Sequence, residues 1–245
     1  MAKATQVGPG ATAVSSSGSS FATEGETSSP KYNRTPHLPW SPGGTNDDKR
    51  IESLGGLLHV PIIITEKMDG SNVCLESRSV YARSHSGPPS HPSFDALKAL
   101  HSQIRHLIPV GVQVFGEWLY AKHSIHYTNL PSYLMLFSVR TSVGKTHGSW
   151  AEVEDMAEKL GTTTVPVLMR AFADTPEYLR VVLTDECLCL PTRYGEREGI
   201  VVRKRSGFPD DEFPLSVAKW VRKDHVTTDD HWKHQEIVRN KLWSP

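Results

Sequence analysis

Apolar residues in this chain fall into short runs separated by turn-forming clusters, and two periodicities take turns along it. Residues 60–65 form a β-rich apolar run that is broken by Lys67-Met68-Asp69-Gly70 and resumes over 72–76. That spacing predicts strand, tight turn, strand. Over 93–108 the residues Leu97, Leu100, Ile104, Leu107 and Ile108 share one stripe, which predicts a helix with Ser93 as its N-cap. Strands are predicted at 112–120 and 133–139. Ser149 and Glu152 have the spacing of a capping box ahead of the stripe Val153, Met156, Ala157 and Leu160, with Gly161 placed to close that helix. A shorter helix opens at Thr175-Pro176, with proline at the first helical position. The last strands fall at 199–204 and 215–222. Strands predominate and there is no internal repeat. The expectation is an α+β fold of antiparallel sheets with helices packed outside.

Residues 1–30 do not fit this pattern. Twenty of the thirty are Ser, Thr, Gly or Ala, too few apolar groups to offset the entropy of ordering, so a disordered tail is expected there and a globular domain over 31–245. A transit peptide is disfavoured by the absence of Arg and by Glu24 and Glu26, though organelle targeting by this segment stays open. Lys+Arg and Asp+Glu are tied at 27 each, so a polycationic nucleic-acid binder is excluded and any such partner must meet a local basic surface. No apolar run approaches the roughly 20 residues of a membrane span. A soluble, intracellular protein is expected. Cys74, Cys187 and Cys189 lack zinc-ligand spacing and read as buried small residues in a reducing compartment, the last two sharing a face if they lie on a strand. The twelve histidines are scattered, without metal-ligand spacing.

Four segments carry candidate chemistry: Glu66-Lys67-Met68-Asp69-Gly70-Ser71-Asn72, Phe115-Gly116-Glu117, Glu198-Gly199-Ile200-Val201-Val202-Arg203 and Ala218-Lys219-Trp220-Val221-Arg222. Singly each reads as an ordinary strand end or hairpin. In this order the sequence resembles the covalent nucleotidyltransferases, the nucleic-acid ligases and mRNA capping enzymes, whose marks are K-x-D-G, then G-E, then E-G-hydrophobic-V, then a final strand bearing lysine. The resemblance is closer to stand-alone RNA ligases of the phage RNA ligase 2 type, in particular the Deinococcus-like group. It extends to residues 31–42, to Tyr81-Ala82-Arg83-Ser84, to residues 117–125, and to Pro131-Ser132-Tyr133 with Leu136-Phe137-Ser138-Val139.

The resemblance implies a ligase adenylation domain that takes AMP from ATP with Mg2+ or Mn2+. It makes Lys67 the nucleophile, Glu117 a ribose contact, Glu198 a metal-facing carboxylate and Lys219 a phosphate-facing cation. It also implies that Arg83 contacts the ribose or the acid beside it, that Phe137 stacks on adenine and that Asn72 senses phosphate in the later steps. Glu66 and Asp69 flank the nucleophile, and adenine is read partly through main chain beside Glu66. A lysine must be neutral to attack, so its pKa of about 10.4 has to fall, with the metal, Lys219 and Arg222 supplying the positive field. Gly70 is expected to permit the tight turn.

Two features depart from the relatives. Val221 stands where many have a second cation, which leaves Arg222 or Lys223 to face the phosphates. Only 23 residues follow Arg222, too few for the further domain of larger ligases. The expected activity is RNA ligation of 5′-phosphate and 3′-hydroxyl ends through lysyl-AMP, by a monomer that either holds its substrate alone or borrows an end-processing partner. A DNA ligase, a capping enzyme or a non-catalytic RNA-end-binding module are the alternatives. A phosphate-tracking groove is expected over Arg203-Lys204-Arg205, Arg222-Lys223 and Lys122-His123, and residues 229–233 are expected to cover the core.

Overall fold

A computed structural model describes residues 1, 31–44, 48–84, 87–141, 145–223 and 236–244. The expected tail, apart from Met1, and residues 229–233 lie outside the described residues.

Strand β1 (Pro61–Lys67) leads into β2 (Ser71–Leu75) and β3 (Val80–Ala82). Helix α1 (Asp95–Ile104) is followed by β4 (Val112–Trp118), β5 (Leu134–Thr141), β6 (Thr146–His147) and helix α2 (Trp150–Lys159). Then come β7 (Thr163–Thr164), β8 (Val167–Phe172), α3 (Pro176–Val181), β9 (Gly199–Lys204), β10 (Phe208–Pro209), α4 (Phe213–Ser216) and β11 (Val217–Val221). One sheet has the order β11-β9-β1-β8 and is antiparallel throughout. The other has seven strands, in the order β10-β6-β5-β4-β2-β3, with β7 added parallel to β5. The fold is α+β. No helix among the described residues is long and apolar enough to cross a membrane.

Strand β1 is buried on both faces because two cores share it. Ile62 and Ile64 enter one core with Ile200, Val202 and Ala218, while Ile63 enters the larger one with Val73, Val114 and Leu136. A β-branched run without polar alternation suits such a doubly covered strand. Helix α2 has the expected box: Ser149 Oγ accepts from Glu152 N–H, and Glu152 accepts from Ser149 N–H at 2.7 Å. Gly161 follows at φ +64°. Thr175 caps α3 as expected.

Several expectations need correction. Ser93 is not a cap: it is fully buried, its carbonyl accepts from the Trp118 indole at 2.8 Å, and His91 caps the 3-10 turn ahead of α1 instead. The last strand begins two residues later than predicted, because Pro214 favours the helical turn α4. Cys187 and Cys189 are not on a strand, since α3 continues as a π-helical turn over Val182–Cys187. Cys74 and Cys187 are buried, but Cys189 is exposed.

The segment ahead of β1 straps the four-stranded sheet. Lys219 N–H donates to Pro36 O at 2.9 Å, Leu38 N–H to Lys219 O at 2.8 Å, and Val221 N–H to Ser41 Oγ at 2.9 Å, so the outer edge of β11 is covered. Upstream, the buried Arg140 guanidinium holds the strap's start by bonding Lys31 O, Asn33 Oδ1, Asp210 Oδ1 and Gln113 Oε1 at 2.8–3.1 Å. A desolvated cation needs such a full set of acceptors. His147 bonds the same Asp210 oxygen at 3.1 Å. Burial, reinforced by Arg140, pulls the His147 pKa down to about 4 against the Asp210 hydrogen bond.

His147 therefore stays neutral in the fold, while an unfolded chain takes up its proton below the ordinary 6.5. Its contribution is complete above pH 6.5 and is lost as pH falls toward 4, a cost on the order of 3 kcal/mol. Melting temperature followed from pH 7 to pH 4 is expected to fall less steeply in His147→Gln than in the native chain. Parallel curves would refute this.

Candidate active site

The chain crosses from one sheet to the other in three residues. Strand β1 ends the four-stranded sheet at Lys67, β2 opens the seven-stranded sheet at Ser71, and residues 68–70 bridge them. The bridge is pinned at every step. Asp69 Oδ2 accepts from the N–H groups of Ser124 and Ile125 at 2.8 Å each, and Asp69 N–H donates to the Tyr127 hydroxyl at 2.9 Å. Gly70 N–H donates to Glu117 Oε1 at 3.1 Å. Gly70 is required for close approach, not for a left-handed turn: a Cβ there would meet Trp118 O at 2.7 Å and Leu119 Cδ2 at 2.8 Å. That corrects the reason expected for this glycine.

Between the sheets lies a cavity of about 430 Å³, a size that suits a nucleotide-scale ligand. Thr65, Lys67, Val201, Arg203 and Lys219 line it from the four-stranded sheet, and Asn72, Glu117 and Phe137 from the other. Lys67 Nζ donates to Glu198 Oε2 at 2.6 Å. Lys219 stands on the same wall, in register with Val201 on β9, which pairs in turn with Thr65 on β1. Phe137 is the unpaired residue where β4 and β5 slip register, since Phe115 pairs with Ser138 and Gly116 with Leu136. Such a bulge re-aims a side chain, and Phe137 meets Tyr32 edge-on at 5.1 Å.

The electrostatics differ from expectation at Lys67. Burial pulls its pKa down, but the charges of Glu198 and Glu117, the Glu198 hydrogen bond and Asp69 outweigh this, and the ammonium is held above the ordinary lysine value. Carboxylates, not cations, dominate its surroundings. Lys219 goes the other way: burial and the Lys67 charge lower it against Asp48 and Glu198. Glu117 is pushed up to about 8, by burial first and then by Glu198 and Asp69, against the pull of Lys67 and of Gly70 N–H.

Five of the expected site residues (Lys67, Asn72, Glu117, Phe137 and Lys219) are brought together on the cavity wall, and Arg83 stands exposed at its edge. Asn72 Oδ1 is buried without a hydrogen-bond partner among the described residues, an acceptor that a ligand donor would satisfy. Glu66 contributes to the wall, but its carboxylate is paired with Arg197 at 3.5 Å, and Arg197 is in turn bonded to three carbonyls around Cys187. Asp69 and Glu198 do not line the cavity. Asp69 is consumed in holding the bridge, and Glu198 reaches the site through Lys67. Arg222 is not on the wall either. Strand β11 ends at Val221, and Arg222 pairs outside with Glu196 at 2.9 Å.

Nor does Arg203 belong to a surface groove. Alternation along β9 turns it inward, 4% exposed, with its guanidinium bonded to Phe137 O, Gly148 O and Lys204 O, while Lys204 pairs with Glu212. Tyr32, Arg34 and Trp150 had no predicted role and stand on the cavity wall, and so does His123 from the expected phosphate-tracking groove. The first two lie in the 31–42 stretch that carried the family resemblance, which was the available signal.

The donor set fits a divalent ion only in part. Glu117 and Glu198 offer hard oxygens beside Lys67, and their crowding shows in the raised Glu117. No group of three metal-holding side chains occurs among the described residues. Such a site suits a cation that arrives with phosphate oxygens and water completing its shell.

A lysine held against carboxylates, in a cavity that also offers a second cation and aromatic faces, can take a phosphorylated aromatic ligand. The RNA ligase family profile matches residues 60–221, and the chain belongs to that family. No curated protein matches the sequence. Among solved structures, an RNA ligase mutant from Naegleria gruberi with ATP and Mn is 10% identical, with TM-score 0.49, covering 78% of this chain and 60% of its own. An archaeal ATP-dependent RNA ligase is 13% identical with TM-score 0.46, over 80% of this chain and 49% of its own. A protein from Aquifex aeolicus described as an ATP-dependent DNA ligase is 18% identical with TM-score 0.46, over 80% and 50%. The chain thus spans roughly half to three fifths of the length of these structures.

Glu117 keeps its proton to about pH 8 in the fold and loses it near 4.5 when unfolded. It therefore withdraws stability as pH rises between those values. Glu117→Gln is expected to gain stability over the native chain at pH 8 more than at pH 5, read from urea midpoints. An equal difference at both would contradict the assignment. Gly70→Ala, which forces a Cβ onto Trp118 O, should cost about 1–3 kcal/mol in the same assay.

Proposed function

We propose that this chain is an ATP-dependent RNA ligase acting through a covalent lysyl-AMP. The observation that carries the reading is the Lys67–Glu198 contact of 2.6 Å at the wall of a cavity that also holds Lys219, in a member of the RNA ligase family. The finer placement, with phage RNA ligase 2-type and Deinococcus-like enzymes, is supported by residues 31–42, which strap β11 and bring Tyr32 and Arg34 to the cavity.

Lys67 Nζ attacks the α-phosphorus of ATP. Glu198 Oε2 is placed to take one proton from the ammonium and free the Nζ lone pair; the new bond is P–N, the bond that breaks joins that phosphorus to the oxygen of departing pyrophosphate, and the second Nζ proton leaves to solvent. Lys219 stabilises negative charge on the phosphate from the same wall. Phe137 offers an aromatic face for adenine, Glu117 and Arg83 take the ribose contacts, and the Asn72 amide meets the phosphate in later steps, roles supported by the place of all four on the cavity lining. AMP then passes to the 5′-phosphate of an RNA end, and a 3′-hydroxyl displaces it to seal the strand. Magnesium or manganese, held by Glu198 with triphosphate oxygens, would supply further positive charge at the reacting phosphate.

Intact mass after incubation with ATP and magnesium is expected to rise by one AMP, and not in Lys67→Ala. A GMP adduct from GTP would favour a capping enzyme, and no adduct from any nucleotide would leave an RNA-end-binding module. Asn72→Ala should spare adduct formation more than sealing. Equal loss of both steps would remove its assigned role.

A further inference from the structure

Asn240, which the proposed mechanism does not use, is fully buried near the end of the chain. Its side chain spends every bond on one loop. Nδ2 donates to Leu119 O at 2.8 Å and Ala121 O at 3.3 Å, and Oδ1 accepts from Tyr127 N–H at 2.9 Å. Its own N–H donates to Tyr120 O at 3.0 Å, and its carbonyl accepts from the Tyr133 hydroxyl at 2.9 Å. The loop, residues 119–130 between β4 and β5, contains no regular element. Its buried main-chain groups depend on such outside partners.

That same loop grips the bridge behind Lys67. Ser124 and Ile125 donate to Asp69, the Tyr127 hydroxyl accepts from Asp69 N–H, and Leu119 packs where a Cβ on Gly70 would intrude. Asn240 bonds the backbone on either side of these grips, at 119–121 and at 127. We infer that Asn240 is a positioning residue for the nucleophile: it fixes loop 119–130, the loop fixes Asp69 and Gly70, and these set where Lys67 Nζ stands. The inference rests on the reading of Lys67 as the nucleophile. It ties a residue near the end of the chain to the first chemical step, without contact with the ligand.

The test compares the full chain with Asn240→Ala, Tyr127→Phe and the double variant, by single-turnover AMP adduct formation over a range of ATP concentrations. Each single variant is expected to lose maximal rate on the order of 10–100-fold, as small misplacements of reacting groups do. The ATP concentration giving half-maximal rate should change less than about threefold. The double variant should be no slower than the worse single one, since both cut one chain of contacts. An unchanged maximal rate, an effect confined to ATP affinity, or additive losses would overturn the inference. Tyr127→Phe removes a single hydroxyl, so it still decides the matter where Asn240→Ala fails to fold. Amide hydrogen exchange gives a readout independent of ligation. The Asp69 amide should exchange faster in Asn240→Ala while those of Ile63 and Ile64 keep their protection. Unchanged exchange at Asp69 overturns the inference even in a chain that takes up no AMP, whereas faster exchange in such a chain would count against the lysyl-AMP reading alone.

Discussion

One ammonium among three carboxyl groups is the constraint on which this structure turns. Lys67 faces Glu198 directly, with Glu117 and Asp69 close enough to raise its pKa. Buried like charges repel strongly, and the fold manages them by giving each a different task. Asp69 is satisfied by two loop amides, Glu117 holds a proton to about pH 8 and accepts Gly70 N–H, and Glu198 alone pairs with the lysine. Within this cluster Glu117 withdraws stability near neutral pH, the pattern expected where a group is placed for chemistry before stability.

Holding these groups requires contacts that are far apart in sequence. Lys67 lies where one sheet gives way to the other, so its place depends on both. The strap of residues 36–43 covers β11 and thereby fixes the strand that carries Lys219. Residues 238–243 bind loop 119–130, which holds the bridge after Lys67. Arg140, inside the larger sheet, ties the start of the first strap to Asp210 and Gln113. The cavity is the space these straps keep between two sheets.

Periodicity and turn chemistry made much of this fold legible. The capping box of α2, the proline start of α3 and the strand over 199–204 depend on residues near one another in sequence, and they appear as predicted. What failed depended on tertiary context. Ser93 has the composition of a cap, but it lies inside the 3-10 turn Pro92–Phe94 with its hydroxyl bonded to His91. Arg203 belongs to a basic triplet, and only strand alternation shows that it faces inward. Arg222 resembles the missing second cation, but the strand that would present it ends one residue too soon. That Lys67, Glu117 and Lys219 share one cavity, with Glu198 against Lys67, was legible because their motif order grouped them. Asn240 was not, because nothing local marks an asparagine whose partners lie more than a hundred residues away.

Register joins stability to chemistry in the four-stranded sheet. Ile63 pairs with Arg203 and that residue with Val217; Thr65 pairs with Val201 and that with Lys219; Lys67 pairs with Gly199 and that with Val221. These three rows face the cavity side, while Ile62, Ile64, Ile200, Val202 and Ala218 fill the core behind. Because side chains alternate with period two, a slip of one residue would exchange the faces. It would drive Lys67 and Lys219 into an apolar core without Glu198, at several kcal/mol for each unpaired charge. It would also expose the apolar set that drives the sheet together. Gly199 tightens the specification, since a Cβ there would meet Trp220 O at 2.1 Å, so β11 can approach β9 closely only where the glycine sits opposite Lys67. The hydrophobic pattern that selects this register is therefore the same physical term that delivers both lysines to one wall.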